Sequence, residues 1–216
     1  MKVYHFLSSE YALENLRYRR LKIAQFDDLN DPFELIAADS SERKQRTILN
    51  EWKVLQAEKY GVLCFSKTWR NPVLWSHYAD RHKGICLGFE VADKLLTPVN
   101  YRKSRLNVDI LSLFDQEKFD KSLTYKLLNT KFYDWKYEKE VRIVVKLKYK
   151  DKENGLYFCN FSEDIMLSDV IAGPLCNKSE KEIRGFIKNE DSSVNLIKSR
   201  LAFKTFDVVM NQRGFS

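Results

Sequence analysis

Two hydrophobic periods run along this 216-residue chain, one of two residues and one of between three and four. Alternation with a period of two predicts a strand with one buried face, and it is clearest over residues 137–149. Shorter apolar runs bounded by turn-forming residues predict further strands. Those runs are residues 3–7, 21–25, 62–66, 84–91, 99–101, 156–161, 169–172, 194–198 and 201–208.

Helical signals predict the remaining elements. Asn71 followed by Pro72 is a good helix start, because the asparagine side chain can cap the first turn and proline is tolerated there. The predicted helices are residues 10–19, 41–59, 72–80, 109–130 and 179–189. Strands and helices mix without a regular β–α–β repeat, so the predicted fold class is α+β. We expect a single domain, 1–216, with a curved or split mixed β-sheet, flanking helices and residues 150–216 completing the sheet.

Composition excludes several classes of protein. Hydrophobic residues make up 44% of the chain, and 14 Phe, 11 Tyr and 4 Trp stand against 7 Gly and 4 Pro. A chain with this much apolar material is neither disordered nor collagen-like. A domain of this length buries about 70% of the surface that its unfolded form exposes, which supports a core without disulfides.

Cysteine spacing and the chain start favour a reducing environment. The cysteines show no Cys-x-x-Cys spacing, and most lie in apolar runs typical of buried thiols. His77 and His82 lie outside any His-Glu-x-x-His motif, so we expect no metal site. The start lacks the apolar stretch of a secretory signal, and no run approaches the roughly 18 apolar residues of a bilayer span. We therefore expect a cytoplasmic protein without a membrane partner.

The charge is unevenly distributed. Lys and Arg total 37 against 30 acidic residues, a net charge of +7, and the surplus lies between residues 51 and 160. A basic surface over residues 101–160 would attract nucleic acid, an acidic protein partner or inhibitor, or a phosphorylated small molecule. A solvated lysine-rich surface is the alternative.

Two short motifs near the start carry candidate chemistry. His5 lies between aromatic residues on the first predicted strand, where it is either a satisfied core residue or a ligand-binding group. Asn30, Asp31 and Glu34 follow in a segment dense in turn formers and acids. An Asx turn before Pro32 explains the first two of these residues, but it does not explain Glu34.

The helix predicted to begin at Pro72 has an unusual face if it extends to residue 82. Trp75, Tyr78, Ala79 and His82 share that face at helical spacing. A core helix would fill it with Leu or Val, whereas these aromatic groups stack on rings and donate hydrogen bonds. The pattern favours a ligand-facing helix over packing alone.

The predicted strand over residues 137–149 has a charged face. Glu138, Glu140 and Arg142 alternate along it, opposite a face that carries Val141. These charges either form a solvent-exposed ladder or line a cleft. The aromatic residues just before them, such as Trp135, favour the cleft.

Four motifs in order resemble a known family. NDPFE, CFS, LWSHYADRHKGICLGF and WKYEKEVRI are similar to segments of an uncharacterised bacterial family, the domain of unknown function numbered 2971. The resemblance spans roughly residues 4–147 and names no activity.

The order of motifs also resembles ADP-ribosyltransferase-like folds of the histidine–tyrosine–glutamate variety. In those folds a first-strand histidine, a tyrosine or serine from the middle of the chain and a late Glu-x-Glu strand surround NAD. The resemblance implies an ADP-ribosyltransferase-like enzyme with NAD as substrate and no metal, which would modify nucleic acid or protein as a toxin or phage-defence effector. The Ser-Thr-Ser string of another branch is absent.

This second resemblance implies roles for individual residues. Glu140 would stabilise the positive charge that develops on the ribose, Glu138 would position the acceptor, and Tyr78 would stack on nicotinamide. The implied catalytic residues are Glu140, Glu138, Tyr78 and His5. The implied NAD-binding residues are His5, Ser66, Trp75, Tyr78, His82 and Arg142. The implied acceptor-binding residues are Asn30, Asp31, Glu34, Lys131 and Trp135.

Two other hypotheses stay open. One is a nucleic-acid-binding or nuclease module, or a regulatory partner in a defence or toxin–antitoxin pair, because aromatic residues interleave with the basic segment. The other is a structural or interaction domain whose charged strand faces water. The pKa values of Glu138 and Glu140 distinguish a cleft from an exposed strand. If the two carboxyl groups lie close together in a cleft, the pKa of one of them is raised, whereas exposed carboxyl groups titrate normally.

Overall fold

A mixed eight-stranded sheet forms the centre of the protein in the computed structural model, which describes residues 1–113, 121–148 and 152–215. The described strands are β1 (Lys2–Leu7), β2 (Arg20–Ile23), β3 (Tyr60–Ser66), β4 (Ile85–Val91), β5 (Thr97–Pro98), β6 (Asn100–Arg102), β7 (Thr130–Phe132), β8 (Glu140–Lys146), β9 (Lys152–Glu153), β10 (Leu156–Asn160), β11 (Ile165–Ala172), β12 (Asn195–Leu201) and β13 (Val208–Met210). The large sheet has the order β13-β12-β11-β4-β1-β3-β8-β5, with β11 and β12 in parallel. Smaller sheets join β2, β10 and β9, and β6 with β7.

Helices flank this sheet, so the fold class is α+β, as predicted. The described α-helices are α1 (Ser9–Tyr18), α2 (Arg43–Lys59), α3 (Pro72–Tyr78), α4 (Lys121–Leu128) and α5 (Glu180–Arg184). Short 3-10 helices lie at Phe26–Asp28, Asp93–Leu95, Ile110–Leu113, Tyr133–Glu138 and Asn189–Asp191. Asn71 caps α3 as the sequence predicts, because its side-chain oxygen accepts a hydrogen bond from the amide of Val73 at 2.9 Å.

Helix α3 ends at Tyr78, two residues before its predicted end, so it does not extend to residue 82. Asp80, Arg81 and His82 have φ angles of 41°, 52° and 72°, in the left-handed region. Three such residues cannot continue a right-handed helix. The shared face of Trp75, Tyr78, Ala79 and His82 therefore does not form.

The charged strand is also shorter than predicted. Residues Tyr133–Glu138 form a 3-10 helix, and Lys139 follows it with a φ angle of 47°. Strand β8 begins only at Glu140. Residue 149, the predicted end of the strand, lies outside the described residues.

Two predicted helices are shorter in the structure. The segment predicted over residues 109–130 contains the 3-10 helix Ile110–Leu113 and then α4, while residues 114–120 lie outside the described part of the chain. The segment predicted over residues 179–189 contains α5, which ends at Arg184.

The large sheet is split between β1 and β3. Strand β1 pairs with β4 along its whole length, from Lys2 to Leu7, but its described register with β3 is the single pair Tyr4 with Ser66. Strand β3 instead pairs with β8 along its length, and there Ser66 lies opposite Glu140. Tyr4, Ser66 and Glu140 are thus neighbours on adjacent strands.

The apolar core lies mainly on one side of β8. Val141 and Ile143 belong to a large buried cluster that also contains Val3 and Leu87. Because successive strand residues point to opposite faces, Glu140 and Arg142 point away from this cluster. A second cluster packs around Trp52 of α2, and a third packs around Trp75 of α3.

The described cysteines and helices add two further findings. Among the described residues, Cys64, Cys86, Cys159 and Cys176 form no disulfide bonds, and Cys86 and Cys176 are buried. No helix within the described ranges combines the length and the hydrophobicity that a membrane crossing requires.

Candidate functional site

A cavity of about 120 Å³ opens on the face of the sheet to which Glu140 and Arg142 point. Strands β1, β3, β7 and β8, helix α3 and the loop after β2 contribute to its wall. The predicted site residues that line it are His5, Asn30, Ser66, Tyr78, Lys131, Glu138, Glu140 and Arg142. Residues from the first strand, the middle of the chain and the late strand therefore meet at one cavity.

Carboxylates and cations form a buried cluster beneath this cavity. The Lys131 ammonium donates to Glu138 Oε2 at 2.7 Å and to Glu140 Oε2 at 3.1 Å. The Arg142 guanidinium donates from Nε to Glu140 Oε1 at 2.7 Å. Glu34 Oε1 lies 3.8 Å from the Lys131 ammonium. We call Glu34, Lys131, Glu138, Glu140 and Arg142 the ionic cluster.

Burial makes the charge balance of the ionic cluster important. Glu138 is 4% exposed, Glu140 is 6% exposed and Arg142 is fully buried. The hypothesis of a water-facing charge ladder is therefore wrong. With every group ionised the cluster carries one more negative than positive charge, so protonation of one carboxyl group makes it neutral. Uncompensated charge in a protein interior is strongly unfavourable.

The two carboxyl groups of the late segment have opposite pKa shifts. Burial raises the pKa of Glu138 above its usual 4.5, and the negative charge of Glu140 adds to this effect against the opposing attraction of Lys131. Burial also disfavours the charged form of Glu140, but Arg142 and Lys131 outweigh it and lower the pKa of Glu140 to about 2. The site thus holds one firmly ionised carboxylate beside a carboxyl group that binds a proton more readily.

Arg142 organises the cluster and has no free hydrogen-bond donor. Its Nη1 donates to Glu34 Oε2 at 2.9 Å and to the Leu128 carbonyl at 3.1 Å. Its Nη2 donates to Glu34 Oε1 at 2.5 Å and to Glu140 Oε2 at 3.1 Å. Together with the bond from Nε, these contacts use all five guanidinium N–H groups. The structure thus shows Arg142 paired with glutamates, and direct binding of NAD by Arg142 would require one of its contacts with Glu34, Glu140 or the Leu128 carbonyl to break.

Tyr78 connects α3 to the carboxyl groups. Its hydroxyl donates to Glu138 Oε1 and accepts a hydrogen bond from Asn30 Nδ2 at 2.9 Å. Burial and the neighbouring Glu138 charge raise the pKa of Tyr78, so the phenol stays protonated. Ser66 fixes the same region from β3, because its hydroxyl donates to the Glu138 carbonyl at 2.6 Å.

His5 lines the cavity at the split between β1 and β3. Its Nδ1 lies 2.8 Å from the Cys64 carbonyl, an acceptor, so Nδ1 carries the hydrogen and Nε2 is the acceptor of the neutral ring. Burial lowers the pKa of His5 below 6.5 and keeps the ring neutral. Because side chains alternate along a strand, Tyr4 and Phe6 point to the same face of the sheet as Glu140, whereas His5 points to the other face. His5 nevertheless lines the cavity, where the strands β1 and β3 share only one described residue pair.

Two predicted ligand-binding residues lie outside the cavity. Trp75 is fully buried, packs edge-on against Phe6 with ring centroids 5.2 Å apart, and donates from Nε1 to the Trp69 carbonyl at 2.6 Å. His82 lies in the left-handed turn after α3, where its carbonyl accepts from the amide of Leu175. Neither side chain lines the cavity, and the helical face that the two were predicted to share is absent because α3 ends at Tyr78.

The remaining predicted acceptor residues have structural partners. Asp31 is buried and its Oδ1 accepts from the amide of Phe33 at 2.9 Å, which is the Asx turn that the sequence left as an alternative. Glu34 is buried against Arg142 and does not line the cavity. Trp135 covers Lys131 from outside, with the ammonium 4.8 Å from its ring centroid.

Two further groups contact Glu140, and the sequence motifs indicate a site role for neither of them. The Tyr101 hydroxyl accepts from the amide of Glu140 at 2.8 Å. Cys64 lines the cavity, and burial together with the nearby Glu140 carboxylate raises the pKa of its thiol. The alternation of β3 and β8 could have indicated the position of Cys64, but nothing local indicates that Tyr101 reaches β8.

The donor set of this site suits hydrogen bonding and charge stabilisation. Within the parts of the chain that the structure describes, no group of three or more His, Cys, Asp or Glu residues could hold a metal ion. Lys131 and Arg142 neutralise the carboxylates of the cluster instead. The cavity therefore presents a fixed anion, a proton-accepting carboxyl group, a phenol ring and a neutral imidazole.

Comparison with known proteins gives one match. Residues 74–143 match the family described as Protein of unknown function (DUF2971). This match confirms the predicted resemblance over a segment that contains Tyr78, Lys131, Glu138, Glu140 and Arg142, whereas the motifs before residue 74 lie outside it. No curated protein and no solved structure matches the chain.

Proposed function

We propose that the protein cleaves NAD at the nicotinamide–ribose bond and transfers ADP-ribose to an acceptor. One observation carries this proposal: His5, Tyr78, Glu138 and Glu140 line a single cavity. A first-strand imidazole, a phenol from the middle of the chain and late paired carboxyl groups form the set of groups that this reaction uses. The NAD molecule is a substrate in this proposal.

Glu140 acts on the bond that breaks. When the bond between the ribose C1′ and the nicotinamide nitrogen breaks, its electron pair leaves with nicotinamide and the ribose becomes an oxocarbenium-like cation. A carboxylate that is already ionised and held in place stabilises this cation without reorganisation. The low pKa of Glu140, about 2, keeps it ionised at neutral pH.

Glu138 acts on the acceptor. The acceptor nucleophile forms the new bond to C1′ and loses a proton, which the Glu138 carboxylate takes up. The raised pKa of Glu138 suits this task, because a base works best with a pKa closer to the working pH. Tyr78 offers its ring as a stacking surface for nicotinamide and holds Glu138 by a hydrogen bond.

His5 acts on the ribose as a binding group. With Nδ1 donating to the Cys64 carbonyl, Nε2 of the neutral ring accepts a hydrogen bond from a ribose hydroxyl. Arg142 acts through Glu140 as a positioning residue, because its bidentate contact with Glu34 fixes the guanidinium that orients the Glu140 carboxylate.

The test measures nicotinamide release from NAD and transfer of labelled ADP-ribose, using wild type and two substitutions. We expect Glu138→Gln to retain nicotinamide release while transfer falls by roughly 10²–10⁴-fold, since the variant lacks the base. We expect Glu140→Gln to lose both activities. Glu180→Gln, on exposed α5, is the matched control and retains both.

Folding of the variants is checked by circular dichroism, because Glu140→Gln leaves buried cations with less compensation. If this variant does not fold, Glu140→Asp keeps the charge while withdrawing the carboxylate, and we expect at least a hundredfold loss of nicotinamide release from it. Undiminished nicotinamide release by a folded Glu140 variant, or none by the wild type, would contradict the proposal.

A further inference from the structure

A second cavity, of about 310 Å³, lies beside the first. Lys131 contributes to the walls of both, so the two cavities share this side chain. The aromatic and basic side chains that also line the second cavity are those of Phe33, Arg102, Lys103, Arg105 and Phe132. We call this second cavity the basic cavity. Its volume reaches the lower end of the roughly 300–1,000 Å³ typical of ligand pockets.

The cations of the basic cavity are available to an anion. Arg102 and Lys103 are exposed, and among the described residues neither forms an ion pair with a carboxylate. Arg105 lies with its guanidinium 5.0 Å from the Phe33 ring centroid and donates to the Ala38 carbonyl at 3.3 Å, which fixes its position. No Asp or Glu side chain is among the described residues that line this cavity.

Two exposed aromatic rings line the basic cavity together with these cations. Phe33 is 46% exposed and Phe132 is 44% exposed, although both are large apolar side chains. Exposed rings between phosphate-binding cations are the usual combination of single-stranded nucleic-acid sites, where bases stack on the rings. Lys103 also lies over the ring of Tyr133, 5.0 Å from its centroid, which extends the aromatic surface.

The position of the basic cavity indicates which part of a reaction it would serve. In the sheet order, β1 with His5 lies on one side of β3, and β8 lies on the other side. Strand β6, which carries Arg102, follows directly after β5, the strand that pairs with β8, and β6 itself pairs with β7, which carries Phe132. Lys131 of β7 donates to Glu138 and lines both cavities, whereas His5 lines only the first. The basic cavity therefore adjoins the first cavity at the residue that contacts Glu138, the proposed acceptor base.

We infer that the basic cavity binds single-stranded nucleic acid and presents it as the acceptor to Glu138. Arg102 and Lys103 bind backbone phosphates, and an unpaired base stacks on Phe33 or Phe132. This inference rests on the proposed function for the acceptor role, whereas the binding itself does not depend on NAD. An acidic protein would use the cations but would leave the rings without a partner.

The test measures binding of a fluorescent single-stranded oligonucleotide by anisotropy, without NAD, over a series of salt concentrations. We expect the Arg102→Gln/Lys103→Gln variant to lose at least tenfold in affinity. Its plot of log affinity against log salt should be shallower by about 1.4, since each single-strand phosphate contact contributes about 0.7. The matched control is Lys181→Gln/Lys188→Gln, which removes the same charge from residues that line none of the described cavities.

A second variant tests the aromatic part separately. Phe33→Leu/Phe132→Leu keeps apolar side chains but removes the stacking rings, and we expect about a fivefold loss of affinity at every salt concentration with an unchanged salt slope. A duplex of the same sequence should bind more weakly than the single strand, because its bases are already stacked. Equal affinity for duplex and single strand, with no effect of the Phe substitutions, would overturn the inference.

Competition separates this site from the proposed NAD site. We expect excess NAD to leave oligonucleotide binding unchanged, and displacement by NAD would overturn the inference by making the basic cavity part of the dinucleotide site. Preferential binding of an acidic peptide would overturn it as well. Oligonucleotide binding without nicotinamide release would contradict the proposed function alone, whereas nicotinamide release without oligonucleotide binding would contradict this inference alone.

Discussion

The carboxylate of Glu34 accepts two parallel hydrogen bonds from the Arg142 guanidinium, at 2.9 and 2.5 Å, across 108 residues of sequence. Both side chains are buried. This bidentate pair connects the acidic loop after β2 to β8 and leaves Arg142 oriented toward Glu140. The loop and the late strand are therefore held together by charge as well as by packing.

Breaking this pair should destabilise the protein strongly. Arg142→Lys cannot make two parallel bonds, and Glu34→Gln turns an amide N–H donor toward the guanidinium donors, so each breaks the buried bidentate pair and should lower the free energy of unfolding by about 3–5 kcal/mol. Urea denaturation measures this change. The control is Arg184→Gln, which removes an exposed pair with Glu180 and should cost at most about 1 kcal/mol. If Arg142→Lys or Glu34→Gln were as stable as the Arg184→Gln control, the prediction would be contradicted.

Acidification should destabilise the protein through Glu140. Its pKa is about 2 in the folded protein and near 4.5 when unfolded, so between these pH values the unfolded chain binds more protons. The contribution of Glu140 to stability is therefore complete above about pH 4.5 and declines as the pH falls toward 2. Urea denaturation at several pH values across this window measures it.

Glu138 should behave in the opposite way. Its folded pKa is raised, so the folded protein binds more protons than the unfolded chain once the pH rises above about 4.5. The stability that this proton provides is lost as the pH rises through the folded pKa. Glu138→Gln should therefore be at least as stable as wild type at pH 7, and a clear loss of stability there would show that the ionised form of Glu138 is favourable.

Ser66 should matter for activity beyond its contribution to stability. In Ser66→Ala the Glu138 carbonyl loses its 2.6 Å hydrogen bond, so we expect about 1–3 kcal/mol of destabilisation and reduced transfer of ADP-ribose with KM for NAD little changed. Ser199→Ala is the matched control, because Ser199 is also buried and donates to the Ala172 carbonyl at 2.7 Å. The control should lose similar stability and keep its kcat.

His5 should affect NAD binding more than the chemical step. In His5→Asn we expect KM for NAD to rise by about tenfold with a smaller change in kcat, because the ribose contact is made before bond cleavage begins. The pKa of His5 is lowered by burial, so its neutral form should give no step in KM between pH 7 and 8. His82→Asn, outside the cavity, should leave KM unchanged. A fall in kcat alone would argue against the ribose contact.

Much of the fold follows from local patterns in the sequence. Alternation indicates the strands around Val141 and Ile143, and Asn71 followed by Pro72 marks the start of α3, because these signals depend on residues adjacent in sequence. The ends of elements were less predictable. Asp80 to His82 and Lys139 adopt left-handed conformations that their side chains do not require, since tertiary contacts select these turns.

The candidate site was predictable in its members but not in their roles. Residue types and their order indicated His5, Tyr78, Glu138 and Glu140, which the structure brings to one cavity. The predicted helical face shared by Trp75 and His82 depended on one further helical turn, and it is absent because α3 ends at Tyr78.

Sequence alone therefore determined the fold class, the alternation of the late strand and the groups available for chemistry, because these depend on spacing along the chain. Only the tertiary structure decided that Glu34 pairs with Arg142, that Glu140 stays ionised and that Glu138 has a raised pKa. The physical reason is that burial and neighbouring charges act through space. Glu34 Oε1 lies 3.8 Å from the Lys131 ammonium and 2.5 Å from the Arg142 guanidinium, although these residues are far apart in the sequence. No local sequence pattern predicts such a contact.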